Sequence, residues 1–128
     1  MNFMRFRYDV SYFPPAPLID VIVSRPESDK KIKVKGKIDT GADITVIPKS
    51  LVRKLGLHPM STISVRGYNG KLVERKTYLI GLEIKGVCCM MIEVIDVKRK
   101  DVLLGRDVLN KLKLLLDGKK LEFEILDP

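Results

Sequence analysis

The chain has 128 residues, 45% hydrophobic and 31% charged, with a formal net charge of +8 at pH 7. That length suits a single domain over residues 1–128 whose core needs no disulfide or metal staple, and the composition excludes a disordered chain. No window approaches the roughly 18 uncharged apolar residues of a membrane span, and a lone His58 with the adjacent pair Cys88 and Cys89 excludes a His/Cys zinc constellation, so no metal and no cofactor is expected.

MNFMRFRYDV opens the chain, with Arg5, Arg7 and Asp9 where a secretory signal would carry its apolar core, which points to a cytoplasmic protein. LIDVIV at 18–23 and KIKVKGKI at 31–38 flank the polar turn RPESD and read as a hairpin. In the second arm Lys31, Lys33, Lys35 and Lys37 alternate with Ile32, Val34, Gly36 and Ile38, the pattern of a strand with one wet face. The lysines are therefore better explained as a solvated face than as a phosphate-tracking stripe, and the aromatic interleaving of a single-strand binder is missing. No nucleic-acid partner is expected.

KIDTGADITVIP, at 37–48, places the carboxylate of Asp39 on a Thr-Gly turn between apolar runs. Burying a charge is costly unless something pairs with it, so an acid in this setting points to function. After Pro48, the period changes to that of a short helix, with Leu51, Val52 and Leu55 on one face and Gly56 as its stop. STISVRGYNGKLVERKTYLIGLEI, at 61–84, reads as a hairpin around Gly67, Tyr68, Asn69 and Gly70, with mostly polar arms beside the turn that make a ribbon standing off the core. VCCMMIEVI at 87–95 is a further strand, DVKRKD at 96–101 a solvent loop, and VLLG at 102–105 a buried strand ending on glycine. A second short helix follows, and LLLDGKKLEFEI at 114–125 reads as a closing hairpin. The class is mainly β with short helices.

Asp39-Thr40-Gly41-Ala42-Asp43, the glycine-tipped ribbon VRGYNGKLV at 65–73 and the run VLLGRDVL at 102–109 follow one another with the order and spacing of the retropepsin-like aspartic proteases, which this sequence resembles over roughly residues 18–112. The resemblance implies a closed, orthogonal β-barrel and a twofold homodimer acting on a peptide or protein substrate. It implies that Asp39 is the catalytic acid, paired with its own copy because the chain holds one such triplet. It further implies that Thr40 bonds across to the partner, that Gly41 and Ala42 leave room for substrate, and that Gly67, Tyr68, Asn69 and Gly70 form the flap. Asp43 and Arg106 would form a partly buried ion pair bracing the site and the dimer; the alternative for Arg106, less favoured, is merely a charged helix start.

The chemistry fits those residue types, because two carboxylates sharing one proton supply a general base for water and a general acid for the carbonyl oxygen. Ile44, Val46, Ile47, Leu103 and Leu104 are expected to line apolar substrate pockets. LEFEIL at 121–126 reads equally as part of a dimer sheet or as an intrachain edge strand. A different class of function, a peptide-binding module of the same fold that cleaves nothing, is the alternative to an aspartic endopeptidase.

Overall fold

The alternation in residues 18–38 becomes an antiparallel hairpin, and the remaining short apolar runs wrap around it. In the computed structural model, which describes residues 2–67 and 69–128, the elements are β1 (Phe3–Arg7), β2 (Leu18–Ser24), β3 (Lys31–Ile38), β4 (Val46–Pro48), α1 (Lys49–Leu55), β5 (Ser61–Arg66), β6 (Leu72–Ile84), β7 (Cys88–Val97), β8 (Val102–Leu104), α2 (Arg106–Leu109), β9 (Lys113–Asp117) and β10 (Glu122–Leu126). Strands β2, β3, β8, β4, β7 and β6 are neighbours in that order, and β6 pairs back onto β2 through Ile22–Glu83, so six strands close into a barrel. Closure removes the open edges that would otherwise recruit another chain.

The barrel is filled by the inward residues of each strand, among them Val21, Val23, Ile80, Leu82, Val94, Val102 and Leu104, all buried. A fully buried aliphatic side chain of this size contributes about 1.5–3 kcal/mol relative to leaving it in water. Gly36 leaves space for this packing: a Cβ there would lie 3.1 Å from both Leu104 Cδ1 and Val21 Cγ1. Outside the barrel, α1 lays Leu51 and Leu55 on the core and ends at Gly56, whose φ of 66° is the left-handed conformation that glycine adopts without strain.

β5 pairs only with β6, so the hairpin of 61–77 projects from the closed ring as the standing ribbon that its polar arms suggest. Its root is pinned at Thr77. Ser61 N donates to Thr77 Oγ1 at 3.1 Å, Ser61 Oγ donates to Glu93 Oε2 at 2.6 Å, and Thr77 Oγ1 donates to the same carboxylate oxygen. Those two hydroxyls, Ser61 first and then Thr77, hold the Glu93 carboxyl below its ordinary pKa.

The ends of the chain build a second sheet, ordered β1-β10-β9. Phe123 of β10 is fully buried and stacks on Phe6 with ring centroids 5.0 Å apart, while Tyr8 tilts against it at 6.2 Å. Residues 121–126 are thus neither an edge strand nor left for a partner: β10 is the central strand of an intrachain sheet, because the N-terminal FMRFR supplies its second neighbour. The segment 96–101 also differs from a plain solvent loop. β7 extends to Val97, and Asp101 is 5% exposed, its carboxyl pushed above the ordinary range first by burial and then by the nearby charge of Asp9.

Candidate active site

Asp39 is the first residue beyond β3. The parallel pairing of β3 with β8 places Ile38 beside Leu104, and it is continued by Asp39 N donating to Leu104 O at 3.1 Å. The chain then turns sharply: Ala42 N donates to Asp39 O at 3.2 Å, and Gly41 N donates to Asp39 Oδ1 at 2.9 Å. One carboxylate oxygen is therefore anchored by its own turn, an arrangement to which aspartate is suited because its short side chain reaches the backbone two residues on. A Cβ at Gly41 would lie 3.3 Å from that oxygen, so a larger residue would crowd the carboxylate.

The loop 39–43 is fastened to the start of α2. Arg106 N donates to Ala42 O at 2.8 Å, Arg106 Nη1 donates to Thr40 O at 2.8 Å, and Nη2 pairs with Asp43 Oδ1. Gly105 permits this approach, since a Cβ at that position would meet Ile44 C at 2.7 Å and Ile44 O at 2.8 Å. Arg106 is thus a clasp on the loop and not only a charged helix start. Within one chain, however, its ion pair is open to water: the side chains of Arg106 and Asp43 are 44% and 85% exposed, unlike the partly buried pair expected.

A second fastening was not apparent from the motifs. Thr45, fully buried, donates from its N to Asp107 Oδ2 at 3.0 Å and from Oγ1 to Asp107 Oδ1 at 2.7 Å, while Gly105 N donates to Thr45 Oγ1 at 3.1 Å. Asp107 also receives Val108 N at 3.0 Å. The signals were a hydroxyl inside the apolar run ITVI and an acid in the first turn of a helix, each unremarkable alone. Together they staple the 39–45 segment to residues 105–108.

Three of the residues expected to line apolar pockets are instead core: Val46, Ile47 and Leu104 are buried, whereas Ile44 and Leu103 keep partial exposure. Ile47 and Leu104 point into the core cluster, while Val46, on the opposite face of β4 from Ile47, is buried outside it. At the ribbon tip Gly67 N donates to Lys71 O at 3.1 Å, Gly70 N to Gly67 O at 2.9 Å, and Lys71 N to Asn69 Oδ1 at 3.1 Å. Gly70 adopts φ of 80°. Tyr68 lies outside the described residues. Among the described residues, no hydrogen bond joins the tip to the 39–43 loop, and no cluster of three or more His, Cys, Asp or Glu side chains suitable for a metal ion is found.

The site is thus the Asp39 carboxylate on a glycine turn, in a loop that an arginine from a Leu-Leu-Gly-Arg segment clasps beside a closed barrel. The family model described as "gag-polyprotein putative aspartyl protease" matches residues 28–111. The chain belongs to this family. Similar folds include a retropepsin-like aspartic protease from Rickettsia conorii, with a TM-score of 0.65 and 17% identity over 97% of this chain and 89% of that one. They include EIAV protease in complex with an inhibitor, with a TM-score of 0.58 and 21% identity over 74% and 86% of the two chains. The simian foamy virus (mac) protease gives a TM-score of 0.56 and 19% identity over 73% of this chain and 92% of that one. No curated protein matches the sequence. Family and fold are thus those of the retropepsin-like aspartic proteases, a class of peptide hydrolases. As a further property of the fold, no helix among the described residues is long and apolar enough to cross a membrane.

Proposed function

We propose that this retropepsin-like protein is an aspartic endopeptidase, a single domain over residues 1–128 that works as a homodimer. The observation that carries the reading is the Asp39 turn: the family's acid is held by Leu104 O and Gly41 N in a chain with one Asp-Thr-Gly triplet. Acid–base hydrolysis without a metal needs two carboxylates, and a twofold axis at this loop brings Asp39 against its copy. One carboxylate then takes a proton from water while the other, protonated, donates to the carbonyl oxygen of the scissile bond.

The neighbouring residues have matching roles in this reading. Thr40 is exposed beside Asp39 and bonds to the partner's backbone at the same turn, holding the two carboxylates in register. Gly41 and Ala42 keep the substrate path narrow but open. Asp43 and Arg106, accessible to water in one chain, become desolvated at the dimer contact, and Gly67, Tyr68, Asn69 and Gly70 close over the peptide as a flap. No cofactor takes part.

Digestion of a peptide library, with products read by mass spectrometry, tests the reading alongside sedimentation of the same sample. Wild-type protein is expected to cut as a dimer and Asp39→Asn to leave every peptide intact. A monomer, or cleavage that persists in Asp39→Asn, would sink it; a dimer of wild-type protein that retains peptides uncut would leave a binding module.

A further inference from the structure

The net charge of +8 is not spread evenly. β4 runs parallel to β7 with Pro48 beside Val97, so the segments leaving these two strands emerge at the same end of the barrel. One continues as Lys49-Ser50 into α1 and the other as Lys98-Arg99. Arg53 lies one helical turn beyond Lys49 and therefore on the same face of α1. Lys49, Ser50, Arg53, Lys98 and Arg99 line one cavity of about 250 Å³.

Four cations around one cavity repel each other and are held together by the fold. Among the described residues, the ion pair made by any of them is that of Lys49 with Asp96, at a long 3.9 Å. Arg99 is oriented by its own backbone neighbourhood, with Nε donating to Asp101 O at 2.6 Å. The cavity is therefore a fixed positive recess that an anion would complete.

We propose that this recess docks an acidic segment of the polypeptide substrate, carboxylate side chains entering between α1 and the loop after β7. The inference rests on the peptidase reading for its choice of a peptide. Two features favour a peptide over a nucleic acid: none of the lining is aromatic, and the recess lies beside β4, a neighbour of the strand β8 that leads to Gly105. β4 runs antiparallel to β8, with Val46 beside Leu103, so Lys49 lies toward the end of the barrel away from Gly105 and the Asp39 loop, roughly 15–20 Å off by strand spacing. An extended peptide running from the Asp39 loop along the barrel wall covers such a distance in about five or six residues.

The test uses the full chain carrying Asp39→Asn, so that peptides stay intact, and fluorescence anisotropy of three labelled probes: a peptide with a run of glutamates, its glutamine counterpart, and a single-stranded oligonucleotide. The glutamate peptide is expected to bind about tenfold more tightly than the glutamine one at low salt, with the difference shrinking as salt rises. Lys98→Ala with Arg99→Ala should erase the difference, and Lys49→Ala with Arg53→Ala, on a separate element, should repeat the loss. Equal affinity for the two peptides, no binding of either, or a preference that survives both double variants would overturn the proposal; so would an oligonucleotide that outcompetes the glutamate peptide at the recess. Wild-type digestion separates the two readings. Cleavage of both peptides at one rate keeps the peptidase and removes the docking site, whereas recess-dependent binding without any cleavage keeps the docking site and removes the peptidase.

Discussion

Asp39, Thr45 and Asp101 are three polar residues in or beside a barrel core, and each is expected to fail differently when changed. Asp39→Asn keeps the turn, because an amide oxygen still accepts Gly41 N, but removes the acid. Cleavage is therefore expected to fall by at least about 10²-fold while the thermal midpoint holds, as read by peptide digestion and calorimetry. Thr45→Val keeps the shape and deletes the hydroxyl that serves both Gly105 N and Asp107. Leaving those groups short of a partner costs about 1–3 kcal/mol in a urea melt, and Thr45→Ser should recover most of it. Asp101 has its carboxyl pushed up by burial and by Asp9, so between the ordinary carboxylate pKa and the raised value the folded chain holds more protons than the unfolded one. Its contribution is thus complete in acid and lost as pH rises through that window, and Asp101→Asn should flatten this part of a stability-against-pH curve. Glu93 runs the other way: its depressed pKa gives stability that is lost as pH falls.

At the scale of elements, the 39–43 loop and the start of α2 behave as one unit. Arg106→Ala removes the bond to Thr40 O as well as the ion pair, whereas Asp43→Asn removes the ion pair alone. In the isolated chain Asp43→Asn should cost no more than about 1 kcal/mol, since an exposed pair is worth little, and Arg106→Ala should cost more. Backbone amide exchange at residues 40–43 would register the difference. How far such elements could be read in advance depended on the distance over which they are held. The β2–β3 hairpin and the β9–β10 hairpin carry alternation and a turn within about a dozen residues of each other, and both were evident from residues 18–38 and 114–125. β1 was not, because FMRFR is five residues long and its partner β10 lies at the other end of the chain, with Arg5 and Glu124 119 positions apart. The same reason hid Thr45 and Asp107, which meet across 62 residues of sequence. The carboxylate turn was legible because Asp39, Thr40 and Gly41 are contiguous and Gly105-Arg106 repeats a known spacing, while the exposure of the Asp43 pair depends on the folded surface.

For the molecule as a whole, the proposed dyad, with one Asp39 from each chain, would tie chemistry to concentration. Activity per protein is expected to fall on dilution in step with the dimer fraction from sedimentation, with Arg106→Ala shifting both curves to higher concentration. The terminal sheet bears on this as well. β10 already has neighbours on both sides in its own chain, so a strand contact that this sheet makes with a copy has to use β1 or β9, whose exposed side chains include Phe3, Leu115 and Leu116. Leu115→Lys is the variant that asks whether the β9 side is buried on association: a lower dimer fraction answers yes, and an unchanged one assigns the contact elsewhere.

β6 has a mechanical consequence of its own. Its inner half is locked between β7 and β2, while its outer half is tied only to β5, and the change comes at Thr77, where Ser61 and Glu93 converge. The ribbon is therefore a cantilever: a beam clamped at one end, whose tip deflection is governed by the stiffness of its mounting. Thr77→Val would soften that mounting without touching the tip or the acid, so the frequency with which the tip swings, read by relaxation dispersion on Gly67 and Gly70, is set from a position that no substrate needs to reach.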